Sequence, residues 1–115
     1  MENPCKILCF GDSITLTYCP VFEKAFRQQF PEIKAEFLNA GVSGETSCDG
    51  WKRIEEQLQH KPNIVVIGFG MNDWRKNVSQ TEFAKNLACI VDKFEEINSR
   101  VILLTINPDN KRALK

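Results

Sequence analysis

The sequence predicts an α/β fold built on one parallel β-sheet, and three observations support this prediction. Four short apolar runs, each typical of a strand, stop at a glycine or an asparagine. Between these runs the apolar residues take the spacing of amphipathic helices. Most of the runs are continuously aliphatic, which is typical of parallel strands that are covered on both faces. The order is therefore strand, helix, strand, repeated along the chain.

The four predicted strands end where their apolar runs end. They comprise residues 7–10, 35–38, 64–67 and 101–106. The second contains Glu36 and is the least apolar, so we expect it at an edge of the sheet. The fourth, Val101–Ile106, is among the most apolar segments although it is the last strand of the chain. An uncovered apolar edge promotes aggregation, so we expect another segment to pair with it.

Three helices are predicted between the strands, and each has an apolar stripe that we expect in the core. The stripes are Phe22, Phe26 and Phe30; Trp51, Ile54 and Leu58; and Phe83, Leu87, Ile90, Val91, Phe94 and Ile97. Pro20 is suited to the start of the first helix. Ser79 followed by Glu82 has the spacing of a capping box at the start of the third.

This element order, with short connections, implies right-handed crossovers and helices on both faces of the sheet. We therefore predict a three-layer α/β/α sandwich with a flavodoxin-like parallel sheet. A chain of 115 residues suffices for one small domain. We expect residues 1–115 to form a single domain that lacks its last helix and strand.

Composition excludes several classes of function. Fifteen Lys and Arg residues balance fifteen Asp and Glu residues, which disfavours electrostatic binding to nucleic acid or to an anionic membrane. The sequence predicts no membrane span and no signal peptide. The five cysteines are Cys5, Cys9, Cys19, Cys48 and Cys89. Their odd number and the absence of a Cys-x-x-Cys pair argue against a disulfide framework and a zinc site, so we expect reduced thiols in a cytoplasmic protein.

Small and polar residues follow the first three predicted strands, at residues 11–13, 39–46 and 68–73. Each segment alone is also compatible with ordinary turns and helix caps. Three at the carboxyl edge of one parallel sheet favour a functional site. Ser13 can present a hydroxyl at a tight turn, Gly44 a backbone N–H, and Asn72 a side-chain amide. Together with the N–H of Ser13, these groups suit an oxyanion hole for acyl transfer.

Three motifs in these segments resemble blocks I, II and III of the SGNH (GDSL) hydrolases in order and spacing. Block I is residues 11–13, block II is residues 39–47, and block III is residues 70–73. The similarity is greatest to the branch of thioesterase I, lysophospholipase and arylesterase. It implies an ester, thioester or lipid acyl hydrolase in which Ser13 is the nucleophile. The oxyanion hole would consist of the Ser13 N–H, the Gly44 N–H and the Asn72 side chain.

The same resemblance implies a small ester or thioester substrate and no metal or organic cofactor. Asp12, Met71 and Trp74 are candidates for substrate binding. Asp12 and Asp73 could suggest a metal pair, but the chain has no nearby histidine to complete such a site.

One family motif is absent from the sequence. SGNH hydrolases end with an Asp-x-x-His motif that supplies the general base, and this chain has no such motif. Its single histidine, His60, precedes the third strand and should lie at the opposite end of the sheet from Ser13. We therefore expect the base and its aspartate outside this chain, which alone should be inactive or weakly active. The alternative is a non-catalytic flavodoxin-like module that binds a partner or self-associates through Val101–Ile106.

Overall fold

The computed structural model describes residues 3–104, which form a four-stranded parallel sheet with helices on both faces. The strands are β1 (Cys5–Gly11), β2 (Ala35–Gly41), β3 (Ile64–Gly68) and β4 (Arg100–Leu103). The helices are α1 (Ser13–Gln29), α2 (Ser47–Lys52), α3 (Ile54–Leu58), α4 (Met71–Arg75) and α5 (Gln80–Glu96). The predicted fold class is confirmed. None of the helices within residues 3–104 is long and apolar enough to cross a membrane.

The strand order is β2-β1-β3-β4, so β1 and β3 lie in the middle of the described sheet. β2 is at an edge, as the glutamate in its sequence predicts. β4 is at the other edge of the described strands, and its side chains Ile102 and Leu103 are 43% and 49% exposed. Residues 105 and 106 of the predicted fourth strand lie outside the described residues.

The main core lies between the sheet and α5. Leu8 and Phe10 of β1 are fully buried and cluster with Ile90 and Phe94 of α5. The rings of Phe10 and Phe94 meet edge to face with centroids 6.0 Å apart. Cys9 points to the other face, where its thiol interacts with Cys19 of α1. This alternation along β1 explains why its run is apolar at every position.

Apart from Ile97, the second and third predicted stripes pack in or against the core. In the first stripe, Phe22 and Phe26 pack against Phe37 of β2. Phe30 and Ile97 are 41% and 38% exposed. Each is the C-cap of its helix, α1 or α5. The helical spacing therefore fails to predict burial for these two side chains, because the helix has already ended where they lie.

Pro20 lies inside α1, so the prediction that it starts the helix is wrong. The helix begins at Ser13 because the Asp12 side chain caps it. Proline has no N–H and therefore cannot bond to the carbonyl of Leu16, four residues earlier. The Asn39 side chain of β2 donates to that carbonyl instead, with an Nδ2–O distance of 3.3 Å. A neighbouring strand thus compensates for the lost helical bond.

The predicted second helix is divided at Arg53 into α2 and α3. Arg53 has φ −112° and ψ 24°, outside the helical region. Its guanidinium donates to the Ala40 carbonyl at 2.7 Å. The predicted stripe still faces inward, since Ile54 is buried and Trp51 packs against the core. α4 is a further short helix that the apolar spacing does not predict.

Candidate active site

The carboxyl ends of β1, β2 and β3 lie level with one another. Gly11 pairs with Gly41 on one side and with Gly68 on the other. A Cβ on Gly11 would collide with the Thr15 hydroxyl and the Gly68 carbonyl, so the close approach requires glycine. The three predicted motif segments therefore start side by side at this carboxyl edge of the sheet, which we call the rim. The register brings Ser13, Gly44 and Asn72 to the rim.

Ser13 occupies the first position of α1, and its side chain is exposed. The first N–H groups of a helix have no partner within the helix, and they lie at the positive end of its dipole. The Ser13 N–H and hydroxyl are thus placed where a negative charge is stabilised. The residue's carbonyl accepts from the Thr17 hydroxyl at 3.1 Å.

Asp12 is fully buried and caps α1. Its Oδ1 accepts from the Ile14 N–H at 3.0 Å, whereas Oδ2 has no hydrogen-bond partner among the described residues. Burial raises the pKa of this carboxyl, backbone N–H groups oppose that rise, and the charge of Asp73 adds to it. The sequence suggested Asp12 as a substrate-binding residue. The structure gives it a capping role, and the substrate contact stays a prediction.

Gly44 lies on the loop between β2 and α2 with φ +82°, in the left-handed region. A Cβ there would meet no atom within 4 Å, so it is the backbone conformation, and not space, that favours glycine. The Lys76 ammonium at the end of α4 donates to the Gly44 carbonyl at 3.3 Å.

Asn72 lies on α4 and is 9% exposed. Its Nδ2 donates to the Glu45 carbonyl at 3.0 Å. A side-chain amide carries two N–H hydrogens. The bond to Glu45 uses one of them and fixes the orientation of the amide, and the role of the other as an oxyanion-hole donor stays a prediction. The sequence did not predict that Asn72 would reach block II.

The Glu45 carboxylate binds Arg53, with 2.6 Å between Oε1 and Nε. The same guanidinium lies over the Phe10 ring, 4.8 Å from its centroid, and contacts the carbonyl groups of Gly11 and Ala40. This partly buried pair anchors the block II loop to the ends of β1 and β2. Sequence reasoning missed Arg53 because a single arginine after a glycine-rich loop gives little signal of such a role.

An apolar cavity of about 570 Å³ adjoins block III. Its lining residues are Phe69, Gly70, Asp73, Trp74, Val78, Gln80, Phe83, Leu87, Leu103 and Leu104. Trp74 lines this cavity, and its predicted contact with substrate stays a prediction. Met71 is half-buried nearby, and its predicted contact with substrate stays a prediction.

His60 lies between α3 and β3, and its carbonyl accepts from the Lys6 ammonium at the start of β1 at 3.3 Å. It is therefore at the amino end of the sheet, opposite Ser13, as predicted. Within residues 3–104, no three His, Cys, Asp or Glu side chains are grouped so that they could hold a metal ion.

Comparison with known proteins identifies the family. The sequence model of the GDSL-like lipase/acylhydrolase family matches residues 9–115. The chain belongs to this family. Within it, the chain is 27% identical to an arylesterase of Vibrio mimicus over 108 residues, covering 88% of this chain and 54% of that protein. It is 36% identical to the esterase TesA of Pseudomonas aeruginosa over 70 residues, covering 60% of this chain and 35% of that protein.

The structural comparison agrees with the sequence comparison. The GDSL-family chain superimposes on the crystal structure of AlinE4, an SGNH-hydrolase family esterase, with a TM-score of 0.86 and 28% identity. The match covers 97% of this chain and 64% of AlinE4. The chain spans about half the length of the curated relatives that it matches over most of its own length. The predicted family and its fold are therefore confirmed.

Proposed function

We propose that the protein is a serine acyl hydrolase that cleaves small esters or thioesters, with Ser13 as the nucleophile. The observation that supports this best is the common position of Ser13, Gly44 and Asn72 on the rim of three level strands. Membership of an acylhydrolase family supports the same conclusion. No metal or organic cofactor takes part in the proposed reaction.

In this mechanism the Ser13 hydroxyl attacks the carbonyl carbon of the substrate, and a general base takes its proton. The oxyanion that forms accepts hydrogen bonds from the N–H groups of Ser13 and Gly44 and from the Asn72 amide. The base returns the proton to the leaving alcohol or thiol as the carbon–oxygen or carbon–sulfur bond breaks. Water then attacks the acyl-serine, and the acid is released as Ser13 regains its proton.

The general base is proposed to lie outside these 115 residues, in an Asp-x-x-His motif of the same single domain. Two facts support this: His60 is at the far end of the sheet, and the V. mimicus arylesterase is covered over 54% of its length. The 115-residue chain alone is then expected to turn over esters slowly at most, because a serine hydroxyl without a base is a weak nucleophile.

The acyl chain of the substrate is proposed to occupy the cavity beside Trp74. The lining is mainly aliphatic and aromatic, and a volume of about 570 Å³ is within the range of ligand pockets. Met71, on the same helix, would contact the bound substrate. A series of p-nitrophenyl esters of increasing chain length tests this, with Trp74→Ala expected to shift the preferred length upward.

The experiment that tests the nucleophile uses the full-length protein, so that catalytic residues beyond this chain are included. A fluorophosphonate probe should label Ser13, and Ser13→Ala should abolish both labelling and ester hydrolysis. Ser79→Ala is the matched control because Ser79 is exposed and only caps α5, accepting from the Glu82 N–H at 3.1 Å. Labelling that persists in Ser13→Ala would overturn the proposal.

A second candidate function is self-association through β4, alone or in addition to catalysis. It is favoured by the exposed Ile102 and Leu103 side chains at the edge of the described sheet. The same edge is the one expected to pair with a further segment of the full-length domain. Size-exclusion chromatography of the full-length protein separates the two: a monomer would exclude self-association, and an inactive dimer would favour the binding module.

A cytoplasmic location is proposed on the evidence of the cysteines. All five thiols are free, and Cys9 and Cys19 are buried as thiols beside each other. Free thiols are typical of reducing compartments. Cell fractionation with an antibody to the protein tests this location.

A further inference from the structure

A chain of hydrogen bonds, two of them buried and one partly buried, joins α2, α4 and α5 next to Asn72. Ser47, which is fully buried, donates its N–H to Asp73 Oδ1 at 2.9 Å and its hydroxyl to Oδ2 at 2.6 Å. The Asn86 amide of α5 donates to the Ser47 hydroxyl oxygen at 3.2 Å. Both oxygens of the Asp73 carboxylate and both functions of the serine hydroxyl are therefore used.

The local role of the Asp73 carboxylate is to satisfy the start of α2. Thr46 caps this helix and forms a reciprocal capping box with Asp49. The Ser47 N–H belongs to the first turn of α2 and has no partner within the helix. Asp73 supplies that partner from another helix, and the short, charge-assisted bond from the serine hydroxyl strengthens the contact.

The contact joins the two segments that carry Gly44 and Asn72, donors of the proposed oxyanion hole. Ser47 closes the block II segment that contains Gly44, and Asp73 directly follows Asn72 in α4. The bond between Asn72 and the Glu45 carbonyl joins the same two segments and is partly buried. Block II is therefore held against α4 by this bond and by the buried pair of Ser47 and Asp73.

We propose that Ser47, Asp73 and Asn86 are positioning residues of the oxyanion hole. They fix block II against α4 so that the Gly44 N–H and the Asn72 amide point at one oxygen atom. This proposal rests on the proposed function, since it concerns the same hole. Oxyanion-hole donors work only within a narrow range of distances, about 2.7–3.1 Å, so a small shift of block II is expected to affect the transition state more than the bound substrate.

The test is Ser47→Ala in the full-length protein. This change removes the hydroxyl and leaves the backbone bond to Asp73 in place. We expect kcat for a p-nitrophenyl ester to fall by roughly 10- to 100-fold with KM changed by less than about threefold. The rate at which a fluorophosphonate labels Ser13 should fall by a similar factor, because the phosphonyl oxygen occupies the same hole.

Ser99→Ala is the matched control. The Ser99 hydroxyl is also buried and donates one short bond, to the Pro62 carbonyl at 2.7 Å, but it lies at the opposite end of the sheet. A merely structural role for Ser47 predicts that both variants lower the urea midpoint similarly and leave kcat unchanged. Our proposal predicts that only Ser47→Ala lowers kcat.

Asn86→Ala is the second variant, and it decides the matter if Ser47→Ala does not fold. It removes only the outer bond of the chain, so we expect kcat to fall by about 3- to 10-fold, again with little change in KM. If folded Ser47→Ala and Asn86→Ala both keep kcat within twofold while Ser13→Ala is inactive, the positioning proposal is overturned and the proposed function stands. If Ser13→Ala remains active, the proposed function fails, and this proposal fails with it.

Discussion

Asn72→Ala separates a catalytic amide from a structural one. In the proposed mechanism the change removes one of three donors to the oxyanion, and the loss of one such donor lowers kcat by about 10²–10³, or roughly 3–4 kcal/mol of transition-state stabilisation. The change also leaves the Glu45 carbonyl without the 3.0 Å bond that it accepts from the Asn72 amide. That loss should lower the free energy of unfolding by about 1 kcal/mol.

The two effects are measured separately in the full-length protein. Steady-state hydrolysis of p-nitrophenyl acetate gives kcat and KM, and urea unfolding gives the change in stability. Asn63→Ala is the matched control because Asn63 also makes a bond to the backbone, accepting from the Lys6 N–H at 2.8 Å, at the amino end of the sheet. It should lose a similar amount of stability and keep its kcat.

The reasoning is refuted if Asn72→Ala lowers kcat by less than tenfold while its stability falls as expected. In that case the amide serves only to hold the Glu45 carbonyl. Asn72→Asp is a useful companion, since it keeps the size of the side chain and, when ionised, donates no hydrogen bond. It should be at least as inactive as Asn72→Ala.

Three further predictions concern residues around the same rim. The folded pKa of Asp12 is raised above its ordinary 3.8, so the native state loses stability as pH rises from about 3.8 through that raised value. Asp12→Asn keeps the cap and has no charge to bury, so it should be more stable than the wild type at pH 7 and lose that advantage near pH 3. Urea unfolding at the two pH values measures the difference. Gly44→Ala should lower the free energy of unfolding by about 1–2 kcal/mol through its left-handed backbone alone, and Gly44→Asn by less, which urea unfolding compares directly. Burial raises the pKa of the Cys9 thiol to about 12, so iodoacetamide at pH 8 should alkylate the half-buried Cys48 well before Cys9, as read by mass spectrometry; equal rates would contradict the burial of Cys9.

The strands could be predicted from sequence because each carries its own signal. The apolar run of β3 ends at Gly68, and that of β1 ends at Gly11. The residue pattern of each strand and the glycine that ends it therefore lie next to each other in the sequence. The two glycines pair across the sheet, which places the segments behind them on one rim. The rim itself was therefore predictable, because the topology of a parallel sheet fixes which strand ends meet.

The misplaced start of α1 has a different cause. Pro20 is a strong local stop signal, and a long-range bond from Asn39 to the Leu16 carbonyl compensates for the helical bond that it removes. No local pattern contains that information. The predicted cap at Ser79 is the opposite case, since the spacing from Ser79 to Glu82 is visible in the sequence and Ser79 does cap the start of α5.

The buried contacts behind the rim could not be predicted because they join residues that are distant in sequence. In the sequence, Asp73 is compatible with an ordinary loop or cap residue, and only the folded chain brings it to Ser47.

The same fold places the buried Asp12 carboxyl close enough to Asp73 for the charge of Asp73 to raise the pKa of Asp12. In the proposed mechanism, an ionised carboxylate near the oxyanion hole would oppose the negative charge that forms there. Asp73 disperses its charge over two bonds from Ser47, and burial favours the neutral form of Asp12. The environment of each carboxylate is therefore expected to reduce the repulsion that its charge would exert on the proposed oxyanion, which the N-terminus of α1 would then stabilise with less opposition.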